Sequence, residues 1–210
     1  WNRKDQYIFF KQMDYPHFNI CANIDITNLF RFIKERRHSF FRTMVYLTAR
    51  TANSIVAFKY RMREDGVVVH DLVHPSFTVM SRNDAFSFCA VNYCEDILEF
   101  FAEVENKIKM LEGKVNIADE PGKDDLLYVT SIPWVSFTSI VHPVHINPTD
   151  SVPRLSWGKF FEEGGKIKLP VSVQVNHALM DGVHVGRYFN MLEELAANPE
   201  LYFGDAYRYS

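Results

Sequence analysis

Residues 171–186 read VSVQVNHALMDGVHVG. The stretch from Val171 to Val175 alternates apolar and polar residues like a half-buried strand, and it runs directly into Asn176 and His177. Asp181 and Gly182 follow, and a helical pattern begins there. An imidazole titrates near neutrality, so a histidine held rigidly at a strand end suits removal of a proton from an attacking hydroxyl. One reading of Asp181 is a second base. Gly182 allows a tight turn into the helix.

The elements that must hold this junction can be read along the chain. Residues 19–26 alternate as a strand, and Thr27 caps a short helix, NLFRFIKERR. Ser39 caps a second helix, FFRTMVYLTARTANSI, with Phe40, Phe41, Met44, Leu47 and Thr48 on one side. Residues 57–62 read as extended, and Glu64–Asp65–Gly66 as a turn into VVVH. SFTVM (76–80) and FSFCAV (86–91) form a strand pair separated by SRND. A third helix covers about 95–112, with Ile97, Phe101, Val104, Ile108 and Leu111 on one face and Gly113 to end it. After the polar loop ADEPGKDD, LLYVTSI and WVSFTSI read as strands, and RLSWGKF and IKLPVSVQVN as a hairpin across EEGGK. The final helix begins near Gly182, with Val185, Tyr188, Phe189, Leu192 and Leu195 inward. Helices and strands do not alternate regularly. The expected fold is α+β, a mixed β-sheet covered by helices in a two-layer sandwich, as a single domain over 1–210.

Hydrophobic residues make up 47% and charged residues 23% of the 210, an ordinary globular balance. The net charge of −3 points to neither nucleic acid nor a membrane surface. The opening WNRKDQYIFF lacks a signal-peptide layout, and no apolar run would span a bilayer. Three cysteines, Cys21, Cys89 and Cys94, form no paired framework and fit a reducing, cytoplasmic compartment. The 18 Phe and 10 Tyr can fill a core, line a pocket or face a subunit interface.

QVNHALMDGVHVGRYFNMLEEL resembles the C-terminal signature of the chloramphenicol acetyltransferases, H-H-x-x-x-D-G followed by a helix. NIDITNLF, FFRTMVYL, HPSFTVM, SIPWVSF and KLPVSVQV resemble further family segments in the family's order, so the likeness covers nearly the whole chain. It implies a CoA-dependent acyltransferase fold and direct transfer of an acetyl group from acetyl-CoA, as co-substrate, to a hydroxyl of chloramphenicol. It also implies a homotrimer, with His177 of one subunit facing the acceptor pocket of the next.

By that resemblance His177 is the general base, its second ring nitrogen held by its own backbone carbonyl. Asp181 forms a structural ion pair with Arg3, in keeping with the cost of a buried, unpaired carboxylate. An oxyanion on the thioester carbon needs a positioned hydroxyl. The family serine maps to Thr130, whose extra methyl crowds the site, while Ser131 should point to the opposite face. A second family hydroxyl, acting through water, maps to Ser156. Lys159 is placed near a phosphate, Phe160 against the adenine and Trp134 along the same tunnel.

The family's acceptor pocket is aromatic and apolar. Phe9, Phe10, Phe18, Thr78, Phe86 and Val144 fit that character. Asp14, Phe88, Pro16 and His142 depart from it, and Asn176 replaces the first histidine of the pair. Asp14 must face water, pair with a cation or read a polar acceptor.

Plainer readings hold elsewhere. His184 is read as structural, and His70, His74, His142 and His145 lack a metal-ligand set, so no metal is expected. Cys89 is read as packing. Lys34–Glu35–Arg36–Arg37 reads as a solvated face, and Phe40 and Phe41 as core. The competing functions are the same chemistry on another small hydroxyl acceptor and a non-catalytic trimeric binding protein. A 2-oxoacid dehydrogenase acyltransferase core also shares H-x-x-x-D-G, but would need a lipoyl domain and linkers.

Overall fold

A computed structural model describes residues 1–80, 84–111, 117 and 122–204. The elements in order are α1 (Lys4–Phe10), β1 (His17–Asp25), α2 (Thr27–Glu35), α3 (Phe40–Asn53), a 3-10 turn (Val56–Lys59), β2 (Tyr60–Arg63), β3 (Gly66–Val69), β4 (His74–Met80) and β5 (Phe86–Ala90). They continue with α4 (Ile97–Leu111), β6 (Leu126–Ser131), β7 (Arg154–Trp157), β8 (Phe161–Glu163), β9 (Lys166–Asn176), α5 (Gly182–Ala197) and α6 (Glu200–Phe203). The main sheet runs β1-β9-β7-β6-β4-β5, with β8 paired to β9, while β2 and β3 form a separate hairpin. β6 lies parallel to both β4 and β7, and the other pairs are antiparallel, so the sheet is mixed as expected.

Strand alternation gives the sheet two unlike faces. Leu127, Val129, Leu155, Trp157, Val171, Val173 and Val175 are buried in one cluster with Met44 and Leu47 of α3, Phe100 of α4 and Tyr188 and Leu192 of α5. The intervening residues form the other face. Tyr128 stands opposite Arg154, Arg154 opposite Gln174, and Gln174 opposite Asn19. One step along, Thr130 stands opposite Ser156, and Ser156 opposite Ser172. This face is polar yet buried, with Ser156, Ser172, Gln174 and Asn176 each 1% exposed.

Buried polar groups need partners. Here the loop 132–153 supplies them. The His142 N–H donates to Gln174 Oε1 at 2.7 Å, and Gln174 Nε2 donates to the His142 carbonyl at 3.0 Å. The Asn19 amide donates to the Ile140 carbonyl, and the Ser172 hydroxyl donates to Asn19 Oδ1.

That cover explains one expectation the structure overturns. WVSFTSI (134–140) alternates like a strand but forms none. β6, which precedes it, ends at Ser131, and the following chain crosses over the polar face, where its backbone bonds to Gln174 and Asn19.

Other boundaries shift. Thr27 is the first residue of α2 rather than its cap; its hydroxyl donates to Asp25 Oδ1 and accepts from the Ile167 N–H. Ser39 does cap α3, accepting from the Arg42 N–H. Half of the extended segment at 57–62 is the 3-10 turn. Asp96 accepts from the N–H groups of Leu98 and Glu99 and so starts α4 two residues later than expected. The hairpin across EEGGK joins β8 to β9, with φ of 58° and 75° at Gly164 and Gly165, and β7 reaches β9 past Gly158. A Cβ on Gly158 would lie 2.6 Å from the Val135 carbonyl oxygen, so only glycine lets the loop approach this closely. Helices α1 and α6 had no counterpart in the sequence reading. Part of SRND (81–83), Gly113 and residues 118–121 of the polar loop lie outside the described residues.

Candidate active site

His177 sits in the turn between β9 and α5. Its N–H donates to the Pro16 carbonyl at 2.7 Å. Asn176 closes the turn, accepting from the Ala178 N–H and donating to the Asp150 carbonyl. The imidazole lies flat on Phe10, with centroids 3.9 Å apart and 7° between planes, and Phe18 flanks it at 4.6 Å. Two rings therefore fix its plane, while 33% of the side chain stays open to solvent.

Nδ1 is buried without a hydrogen bond. Asp181 Oδ1 stands 3.3 Å away, close enough for attraction but outside hydrogen-bonding geometry. The expected bond from the ring to its own carbonyl is absent, and that carbonyl accepts from Arg3 Nη2 at 3.2 Å. With Nδ1 turned toward a carboxylate, the favoured tautomer carries its proton there and leaves the Nε2 lone pair free.

Arg3 clamps the whole turn. Its Nε donates to the Leu179 carbonyl at 3.1 Å, and its guanidinium pairs with both Asp181 oxygens. The Arg3 guanidinium holds the Asp181 carboxyl below the ordinary carboxylate range. His184, three residues into α5, accepts from the Asp181 N–H through Nδ1 at 3.0 Å, a capping contact in keeping with its structural reading. Gly182 has neither a left-handed φ nor a neighbour that a Cβ would meet, so the tight-turn argument does not hold there.

Replacing Asp181 with asparagine is expected to lower unfolding stability by about 1.5–3 kcal/mol, the range for a hydrogen bond to a charged group. Because the folded pKa is depressed, the stability this carboxylate contributes is present above its unfolded value of about 3.9 and is lost as pH falls through the lower folded value. Urea titrations at pH 7 and pH 3 should show a smaller gap between the two proteins at the lower pH; an equal gap would remove the pair from the account.

A second cluster lies on the polar sheet face. A cavity of about 220 Å³ is lined by the expected Thr78, Phe88, Thr130 and His142. Ser76, Tyr128, Asp150 and Arg154 also line it, and the sequence reading had missed them. Strand parity carried the signal, since Ser76 and Thr78, and likewise Tyr128 and Thr130, are two apart. His142 Nε2 meets the Ser156 hydroxyl at 2.6 Å, and burial pushes this imidazole down from its ordinary pKa. Phe86 is exposed, its ring 5.6 Å from Phe88. Val144 is half-buried in the covering loop and Ser131 lies off the cavity.

Asp150 joins the cavity wall to Asn176, but Thr130 and His177 themselves lie apart within one chain. Thr130 is in register with Ser156 and Ser172, and His177 lies five residues beyond Ser172. Strand geometry makes that about 16 Å along the sheet and about 10 Å across it. Phe10 and Phe18 stand with His177, together with Phe9 at 5.1 Å from Phe10. Asp14 near them is exposed to water, and Pro16 serves through its carbonyl. The expected acceptor-pocket residues thus form two groups rather than one.

The residues expected around CoA also divide. Trp134, Lys159 and Phe160 are exposed on either side of Gly158, and the Lys159 N–H donates to the Val135 carbonyl at 2.9 Å. Phe160 leans on Phe30 at 4.8 Å with part of its ring free. Ser156 is buried beneath His142 and opens to no surface. Among the described residues, no three His, Cys, Asp or Glu side chains are grouped to hold a metal ion, and no helix is long and apolar enough to cross a membrane.

The family model described as chloramphenicol acetyltransferase matches residues 1–193. The chain belongs to the chloramphenicol acetyltransferase family. It is accordingly an acyltransferase. A chloramphenicol acetyltransferase from Clostridium perfringens is 32% identical over 98% of this chain and 95% of its own. A chloramphenicol acetyltransferase 2 from Haemophilus influenzae is 32% identical over 94% of each. Among solved structures, a chloramphenicol acetyltransferase superposes with a TM-score of 0.84 at 24% identity, over 93% of this chain and 95% of its own. The dihydrolipoamide acetyltransferase of Azotobacter vinelandii gives 0.72 at 18% identity, over 95% and 88%, which shows a shared acyltransferase fold. Within the chloramphenicol acetyltransferase family, then, this chain carries Asn176 and Thr130 in positions where its resemblance had implied histidine and serine.

Proposed function

We propose that the chain is a cytoplasmic, single-domain O-acetyltransferase that uses acetyl-CoA to acetylate a hydroxyl of a small molecule in a ternary complex. The observation that carries this reading is His177: a clamped, ring-stacked imidazole, one-third exposed, with its buried nitrogen turned to a carboxylate. Acetyl-CoA supplies an activated thioester when bound. His177 Nε2 takes the acceptor's hydroxyl proton, and Arg3 and Asp181 act by holding the turn that aims it. The Thr130 hydroxyl donates to the carbonyl oxygen as charge grows there. Lys159 and Phe160, a cation and an exposed ring, suit a phosphate and an adenine, with Trp134 beside them. Buried Ser156 acts on the site through His142 rather than on CoA itself.

Because one chain holds His177 about 19 Å from Thr130 by strand geometry, a complete site needs two copies. A homotrimer with a site at each interface satisfies that requirement, with Phe9, Phe10 and Phe18 of one subunit meeting Thr78, Phe86, Phe88 and Val144 of the next.

Chloramphenicol is the acceptor in the names of the relatives and the first to test. The polar cavity beside Thr130 favours a second reading, the same transfer to a different hydroxyl compound. Acetyl-CoA-dependent thiol release on adding chloramphenicol, with acetylated product found by mass spectrometry, supports the first. Absence of product removes chloramphenicol as acceptor and leaves the second.

A further inference from the structure

The cavity beside Thr130 holds a full ion pair. Asp150 and Arg154, with side chains only 7% and 9% exposed, pair on its wall. The guanidinium packs over the Tyr128 ring at 5.2 Å, and its Nη1 donates to the Val152 carbonyl. Asp150 is held as tightly: its Oδ1 accepts from the Val152 N–H, and its carbonyl accepts from Asn176 and from His17 Nε2. Through Asn176 the pair is tied to the turn that carries His177.

Burying two charges is costly, and apolar residues of similar size would fill the space at least as well for stability. The pair therefore suits recognition better than packing. A guanidinium has five N–H donors, and among the described residues two hydrogen bonds engage it, to the Val152 carbonyl and to Asp150. Around it, Ser76, Thr78, Thr130 and His142 bring hydroxyls and a neutral imidazole to the same space. An aromatic, weakly hydrated acceptor would strip water from these groups without replacing its hydrogen bonds. A molecule rich in hydroxyls would replace them, donating to Asp150 and accepting from Arg154. Sites built to hydrogen-bond a hydroxyl reject analogues that lack it.

We infer that this cavity selects a polyhydroxylated acceptor, a sugar or polyol, with the Asp150–Arg154 pair reading its hydroxyls; this rests on the acetyl-transfer reading above and chooses its second acceptor class. The balance of the step is that of any such transfer. The thioester C–S bond breaks and an ester C–O bond forms, while the hydroxyl proton passes to His177 and from there to the CoA thiolate.

The test is a comparison of kcat/KM, by thiol release from acetyl-CoA, for sorbitol, the methyl glycosides of glucose, galactose and mannose, and chloramphenicol. At least one polyhydroxylated compound should exceed chloramphenicol by about tenfold or more, within the range that one unmet polar contact produces. Chloramphenicol as the best substrate overturns the inference and leaves acetyl transfer standing. No turnover of any acceptor, with no acetyl-CoA binding by calorimetry, removes both. Replacing the pair together, Asp150→Leu with Arg154→Leu, avoids leaving one charge unmatched and should shift the preference toward chloramphenicol by tenfold or more; a folded double variant with an unchanged ratio counts against the pair. If that variant does not fold, Thr78→Val should raise KM for the best polyol more than for chloramphenicol, and equal changes overturn the role of the cavity.

Discussion

Replacing His177 with alanine is expected to lower kcat by about 10²–10⁴-fold, the usual span for a lost general base. That is about 3–5 kcal/mol of transition-state stabilisation. The substitution should leave the fold intact, because among the described residues none depends on the ring for a hydrogen bond and a third of it already faces solvent. The stack on Phe10 is the main packing loss, about 1 kcal/mol for an aromatic pair. KM should change little, since the proton is taken only as the bond forms. Steady-state kinetics with thermal unfolding on the same preparation gives both numbers. A kcat within tenfold of the parent, in a protein that melts normally, would end the case for His177 as the base.

Mixing two inactive proteins is expected to restore activity. His177→Ala lacks the proton acceptor, and Thr130→Val lacks the hydroxyl, a loss of about 10²–10³-fold where such a donor stabilises developing charge. If each site draws His177 from one subunit and Thr130 from its neighbour, subunits unfolded together in equal amounts and reassembled should recover roughly a quarter of the sites, since each interface takes its two sides at random. The physical ground is the sheet register: within one chain, the Thr130–Ser156–Ser172 row is five residues short of His177. Refolded mixtures that stay at the level of the separate variants would mean that the two residues serve within one chain or not at all.

The polar face shows how the sequence and the fold divide the information. Alternation from Val171 to Val175 was visible, and LLYVTSI and RLSWGKF were legible as strands. Alternation cannot say whether the polar side meets water. Here the loop 132–153 covers it, so Gln174 and Ser172 are as buried as the valines beside them. WVSFTSI alternates too, yet its chain covers the polar face and bonds to side chains there, which period-two hydrophobicity does not reveal.

The sequence by itself determined the mixed sheet under helices and His177 at a strand end, which follow from periodicity and the order of elements, while the family and the Arg3–Asp181 pair came from the resemblance its motifs carry. Only the tertiary structure decided where charge lies around the cavity beside Thr130. Asp14, the charge that stood out in the sequence, faces water, whereas Asp150 and Arg154, four apart in a loop and a strand start, meet inside the cavity. Their placement depends on register across β6, β7 and β9 and on the path of the covering loop, long-range relations that no local pattern encodes.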